Sequence, residues 1–189
     1  MKKLLLLLGA CVLAACAHSP LQIQVHPQVQ VVPETIGAGY TLSVRGVNQL
    51  PGGGLGSLGG VYAETARVSL ANDVEGAIAS TLRGGFDKWA FRTVDEGGDV
   101  QVLAKLTSLK YDSPNKLYTS KVDTSAEVEL EVKIGGATYF GSYRSSGVDR
   151  TLIKPSREEV EARINGLLGA TLQRAFEDEK LKNFLRTHL

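Results

Sequence analysis

The sequence predicts an α+β domain: an antiparallel sheet of about four strands carrying two amphipathic helices on one face, in the order β-α-β-β-β-α. Three observations predict it. Residues 126–134 alternate apolar and polar side chains and run into Gly135-Gly136, the signature of a hairpin. Residues 72–89 and 156–176 place apolar side chains at steps of three and four, as helices do. At 189 residues, 43% hydrophobic and 22% charged, the chain can fill one ordinary core, which excludes both a disordered chain and two large domains.

Lys2 and Lys3, an apolar run over residues 4–12, and small residues leading through Leu13, Ala14 and Ala15 to Cys16 have the layout of an export signal. As a helix, residues 4–15 span about 18 Å, short of a hydrocarbon layer of about 30 Å, so the run is a leader and not a transmembrane anchor. Leu13-Ala14-Ala15-Cys16 resembles the bacterial lipobox. That resemblance implies removal of residues 1–15, a diacylglyceryl group on the Cys16 thiol and an N-acyl lipid on its amine, with no other cofactor expected. Two chains of about fifteen methylenes, at about 0.8 kcal/mol each, give on the order of 24 kcal/mol before costs, so attachment is effectively permanent. The competing reading, an ordinary signal cut elsewhere, leaves the agreement of region order and lipobox unexplained. With Cys11 discarded and Cys16 alkylated no thiol remains, which removes disulfides, cysteine metal sites and thiol nucleophiles together. In the sorting rule for such lipoproteins an aspartate after the cysteine favours the inner membrane. Ala17 therefore implies the periplasmic face of the outer membrane of a Gram-negative bacterium. Charge is balanced, and loss of Lys2 and Lys3 turns a formal +1 into −1, so no nucleic-acid partner is expected.

Residues 16–39, with Pro20, Pro27 and Pro33 among glutamines, are expected to form an extended tether, and residues 40–189 the single domain; within the tether Leu21, Ile23 and Val25, and again Val29 and Val31, alternate with polar residues as an edge strand interrupted by proline does. Residues 40–47 read as the first strand, 51–60 as a glycine-rich loop, and 66–70 as a short extended piece. A helix then starts with Asn72 or Asp73 as N-cap and carries Val74, Ile78, Leu82, Phe86 and Trp89 on one stripe. Gly84 and Gly85 inside it cost about 1 kcal/mol each, so close packing or a kink is expected there. Residues 100–106 read as a strand. Pairing Ile134 with Ala137 across the turn sets Tyr139 opposite Val132, Tyr143 opposite Val128 and Arg144 opposite Glu127. Ser156 and Glu159 match a capping box ahead of the second helix, and a last helical stretch follows from Asp178.

The polar turn from Asn115, the strand over 126–134, the Tyr143-Arg144-Ser145-Ser146 segment and the amphipathic tail over 181–185 resemble the YajG-type lipoproteins, as does the start at Cys16. The resemblance covers residues 16–189. It implies an exported lipoprotein of a family without an assigned activity, and transfers only Cys16 as a functional position. The glycine run over 51–60 departs from the family pattern.

Other motifs reduce to scaffolding. Gly54-Leu55-Gly56-Ser57-Leu58-Gly59 spells GxGxxG, but an extended stretch rather than a helix follows it, so it reads as a flexible loop. Ser113-Pro114-Asn115-Lys116 fits S-x-x-K without its companion motifs and reads as a turn. His18, His26 and His188 sit in the tether and at the chain end, away from any core. Glu127, Glu129 and Glu131 share one solvated strand face, and Asp95, Glu96 and Asp99 a polar turn without calcium-loop spacing; no metal site is expected. Thr138, Phe140 and Arg144 fall on the glutamate face, where an exposed aromatic beside an arginine marks a contact surface. The expected function is a non-enzymatic binding or scaffold module of the cell envelope, working through the face from Thr138 to Arg144 or the glycine loop over 51–60, with an envelope protein or glycan as partner. The alternatives are an auxiliary subunit of an envelope transport or assembly machine, and a hydrolase acting on peptidoglycan or lipid.

Overall fold

In the computed structural model, residues 20–52, 54–59, 66–113, 120–151 and 155–189 are described. Cys16, the leader and His18 lie outside them, as do residues 61–63 and 114–116. Among the described residues there are eight strands and three helices: β1 (Leu21–Ile23), β2 (Thr41–Asn48), β3 (Gly56–Ser57), β4 (Arg67–Leu70), α1 (Val74–Lys88), β5 (Arg92–Val94), β6 (Val100–Asp112), β7 (Ser120–Ile134), β8 (Ala137–Thr151), α2 (Arg157–Phe176) and α3 (Glu179–His188).

The class is α+β, but the sheet is not a four-stranded antiparallel one. It has eight strands and is mixed, and β6 is its axis. Along one edge β6 pairs antiparallel with β7, and β7 with β8. Along the other edge β2 runs parallel to the first half of β6, and β3 parallel to its last two residues. A bulge between Leu106 and Ser108 lies where β2 ends and the edge passes to β3. Beyond β2 lies β5, and beyond β3 lie β4 and then β1. The parallel pairing of β2 with β6 has a topological cause: the chain between them contains α1, and a helical crossover returns a strand in the same direction.

The hairpin register is as expected at every rung, with Ile134 opposite Ala137, Tyr139 opposite Val132, Tyr143 opposite Val128 and Arg144 opposite Glu127. Asp73 caps α1 through Gly76 N, and Ser156 with Glu159 forms the capping box of α2. One apolar cluster joins the inner face of the sheet (Leu42, Val44, Val102, Leu106, Val128, Leu130, Val132) to α1, α2 and α3. Its aromatic centre is Phe176 of α2, set edge-on to Phe86 and Trp89 of α1 at ring separations of 5.2 Å each. Gly85 is the point where α1 meets that ring, since a Cβ there would overlap Phe176 Cζ; Gly84, one residue earlier, faces open space.

Residues 20–35 are extended and packed on the domain, not a free tether, and residues 36–39 form a turn. Leu21–Ile23 pair with β4, and Ile23 and Val25 are fully buried. Farther on, side-chain amides act as surrogate strand partners. Asn72 accepts from Val25 N and donates to Val25 O, at 2.8 and 2.9 Å. Asn165 accepts from His26 N (2.6 Å) and donates to Gln24 O (3.1 Å), and Gln173 accepts from Gln30 N and donates to Gln30 O, both at 2.8 Å. Thr81 Oγ1 donates to Pro27 O (2.8 Å), and Glu34 then pairs with Lys182 and Arg186 of α3 at 2.8 and 2.9 Å. Backbone groups at Gln24, Val25, His26, Pro27 and Gln30 that a free strand would leave to water thus have partners. The prolines, which read as linker, sit in a strap that crosses the helices.

Candidate functional site

The outer face of the β6–β7–β8 ladder brings together Thr138, Phe140 and Arg144. They share one face of β8, opposite Lys133, Glu131 and Glu127 of β7. Phe140 is 71% exposed. Around it Glu127 and Glu131 are already paired. Arg144 Nη2 lies 2.6 Å from Glu127 Oε2, and Ser142 Oγ donates to Glu127 Oε1 at 3.2 Å. These bonds hold the Glu127 carboxyl below its ordinary range, Arg144 being the main cause. Glu131 sits between Lys133 (2.7 Å) and Lys105 (3.2 Å), and those hydrogen bonds lower it likewise. A carboxyl held as its anion cannot donate a proton near neutral pH, so neither glutamate is set up as a general acid. What the face offers is an exposed ring on a rigid ladder, beside an edge of β8 that pairs with no other described strand.

The inner phase of the same strand carries a polar cluster that sequence reasoning missed. Tyr139 and Tyr143 both donate to Asp178 Oδ2, at 2.5 and 2.9 Å, and their hydroxyls are 3.1 Å apart. Burial, reinforced by Asp178, pushes Tyr139 up to about 12, and burial together with Tyr139 and Asp178 pushes Tyr143 up further. Burial also disfavours the Asp178 anion, but the Tyr139 hydroxyl and the backbone N–H of Lys180 outweigh it and leave the carboxyl lowered. Asp178 is at the same time the N-cap of α3. One carboxylate therefore starts the helix and ties it to β8. Gly141 makes the arrangement fit, because a Cβ there would sit 2.5 Å from the Tyr143 hydroxyl. The readable signal was Tyr-x-Gly-x-Tyr: two hydroxyl-bearing rings in the inward phase, which need a polar partner.

The GxGxxG segment is packed rather than flexible. Leu55 and Leu58 are buried, Leu55 N donates to Val68 O (2.7 Å), and Tyr111 N donates to Leu55 O (2.8 Å). Gly56, at φ +142°, is held so close to β6 that a Cβ would overlap Tyr111 O. The glycines serve this backbone approach, not a phosphate. Beside them on the outer face lies an open groove of about 980 Å³, bordered by Ser57, Arg67, Ser108, Lys110 and Glu127.

The remaining candidates stay apart. Asp99 accepts from Thr41 N (2.8 Å) and Thr41 Oγ1 (2.7 Å), bonds that keep its carboxyl low and close the turn. His188 stacks on Phe184 of α3 at 4.4 Å, and His26 lies on the strap, its backbone N–H donating to Asn165 of α2. Among the described residues no three His, Cys, Asp or Glu side chains gather as a metal site, and no helix is long and apolar enough to cross a membrane.

A family profile described as uncharacterized lipoprotein matches residues 27–186. No curated protein matches the chain. Among solved structures, a Xanthomonas campestris protein of the DUF330 family is similar at 11% identity and a TM-score of 0.49, covering 88% of this chain and 95% of that one. Another structure, titled only as an uncharacterized protein, aligns at 15% identity and 0.41, covering 78% and 97%. A putative neuraminyllactose-binding hemagglutinin homolog from Helicobacter pylori aligns at 5% and 0.37, covering 85% and 95%.

Proposed function

Because the chain belongs to the family of uncharacterized lipoproteins, which are held to a membrane by lipid, we propose that it is a non-enzymatic, YajG-type binding module. It is anchored through Cys16 to the periplasmic face of the outer membrane and holds another envelope protein against the outer face of β8. The lipobox ending at Cys16 and the absence of an aspartate at Ala17 support the address. Phe140 carries the binding reading. A ring 71% exposed is an ordinary surface feature on a mobile loop, but here it stands on a fifteen-residue strand, with the neighbouring Glu127 and Glu131 held in ion pairs. Covering such a ring is worth about 1.5–3 kcal/mol. The open edge of β8 adds main-chain donors and acceptors for an extended segment. The paired state of Glu127 and Glu131 favours binding over acid-base chemistry.

A photo-crosslinking residue at position 140, in intact cells, should capture one protein of defined mass, and the same residue at exposed Asp87 of α1, on the opposite side of the sheet, should not. Equal adducts from both positions would refute the site. Cys16→Ser should leave an unprocessed, lipid-free precursor; normal processing and membrane retention would refute the anchor.

A further inference from the structure

We propose that the end of the domain where β1 begins is a membrane-contact surface, resting on anionic phospholipid headgroups. This rests on the reading of Cys16 as the lipidated residue. The first link is the length of chain left between lipid and fold. Leu21 is already paired with Val68, so only five peptide steps separate it from Cys16, at most about 18 Å fully extended. The second is the sheet's polarity. Leu21 lies on one row with Val68, Gly56, Tyr111, Thr124 and Gly147. The start of β1 therefore shares its end of the sheet with the end of β6, the start of β7, the end of β8 and, next in the chain, the start of α2. The Gly135-Gly136 turn is at the opposite end, about 40 Å away along β7.

The third link is a set of cations placed against local rules at that end. Lys121 stands directly opposite Arg150, a like-charge cross-strand pair that is unfavourable on its own. Arg157 is the first residue of α2, where the helix dipole disfavours a positive charge. Most nearby carboxylates are engaged: Asp123 with Lys121 (2.9 Å), Asp149 with Arg163 (3.0 Å), and Glu159 in the capping box, while Glu158 bonds at the start of α2; Asp112, opposite Asp123, forms no ion pair among the described residues. Arg150 and Arg157 form no ion pair among the described residues. An external anion at this end relieves both placements, and the bilayer that holds Cys16 presents phosphates within reach.

The mature lipidated chain has no other thiol, so single cysteines can report height. Asp112→Cys, at the end of β6, and Gly136→Cys, in the far turn, would each carry a donor dye in vesicles of phosphatidylethanolamine and phosphatidylglycerol with acceptor lipids. The Asp112 site should lie within about 20 Å of the surface and the Gly136 site about 40 Å farther out. Inserting twenty Gly/Ser residues before Pro20, or reversing charge with Arg150→Glu and Arg157→Glu, should narrow the difference; Arg150→Glu also faces Lys121 and keeps the fold. Equal transfer from the two sites, or stronger transfer from Gly136, overturns the proposal. Mass analysis of the same sample reads the anchor separately. If Cys16 proves bare, the anchor reading fails, and the surface is tested on protein coupled to a synthetic lipid directly at residue 16, where the same ordering is expected and its absence is again decisive.

Discussion

Gly84 and Gly85 are adjacent in α1, yet alanine should act on them in opposite directions. Inside a helix Gly→Ala gains about 1 kcal/mol. At exposed Gly84 an added Cβ meets nothing within 4 Å, so that gain should appear in full. At Gly85 the Cβ would overlap Phe176 Cζ and lie 2.7 and 2.8 Å from Cε2 and Cε1. The ring has nowhere to go. It is 4% exposed and wedged edge-on against both Phe86 and Trp89. Overpacking of this kind costs about 1–3 kcal/mol, and a ring hemmed in on two sides belongs near the top of that range. Gly85→Ala should therefore lose about 2 kcal/mol net, a separation of about 3 kcal/mol from Gly84→Ala. For a domain of this size that corresponds to about 6–12 °C in Tm. Urea unfolding of the purified protein in mild detergent, followed by fluorescence of Trp89, the sole tryptophan, reads stability and the local contact together. Two variants of equal stability would mean that α1 and α2 do not meet at residue 85, and the account of the aromatic centre would fail.

The tyrosine pair and the strap give two more tests. Asp178→Ala should cost about 2 kcal/mol, roughly half for the lost cap and half for hydroxyls left unpaired. Asp178→Asn should bring Tyr139 down from about 12 toward its ordinary 10 in an alkaline ultraviolet titration, and unchanged titration would contradict the network. Because the folded Asp178 carboxyl lies below its ordinary 3.8, its contribution is present above that value and is lost as pH falls through the lowered one. Docking of α3 on β8 should accordingly weaken in acid, below about pH 3.8, and near-ultraviolet circular dichroism of the tyrosines would follow it. On the strap, Asn165→Ala and Gln173→Ala should each lose about 1 kcal/mol and speed hydrogen exchange at His26 and Gln30 respectively, while Val25, held by Asn72, stays protected.

Local rules reached far into this fold and stopped where contacts became remote. The hairpin was legible because a period of two and a two-residue turn fix both faces at once, so Tyr139, Tyr143 and Arg144 fell on their true partners. The caps at Asp73, narrowed to one of two adjacent candidates, and at Ser156 were legible because their partners lie within three residues. The direction of β2 was not, since alternation in Leu42 and Val44 is the same for either orientation; the helix between β2 and β6 was the usable clue to a parallel pair. β1 was legible in the alternation of Leu21, Ile23 and Val25 with glutamines, whereas β3 and β5, at two and three residues, are too short to show a period. The strap was hidden more deeply, because its backbone is satisfied by amides about 140 residues away, at Asn165 and Gln173, which look like any polar positions on a helix. At the candidate site the common face of Thr138, Phe140 and Arg144 followed from register, whereas the locking of Glu131 depends on Lys105 from β6, whose register no local signal fixes.

Replacing a long leash by a short one changes what the β8 face can meet. A flexible chain of 24 residues has a root-mean-square length of about 27 Å and would let Phe140 sweep from the bilayer to well above it. With the fold beginning at Leu21, the lipid-to-fold distance is at most about 18 Å, and Phe140 stands seven residues along β8 from the Gly147 rung that Leu21 shares, about 24 Å up the sheet. On this geometry a partner lying flat in the headgroups misses the ring, and one whose segment projects about 24–42 Å into the periplasm reaches it in a fixed orientation. The Gly/Ser insertion that flattens the energy-transfer difference should then also change the crosslinks from position 140, replacing one dominant adduct by several weaker ones. A single adduct of unchanged yield after that insertion would show that the partner, and not the anchor, sets the height of the face.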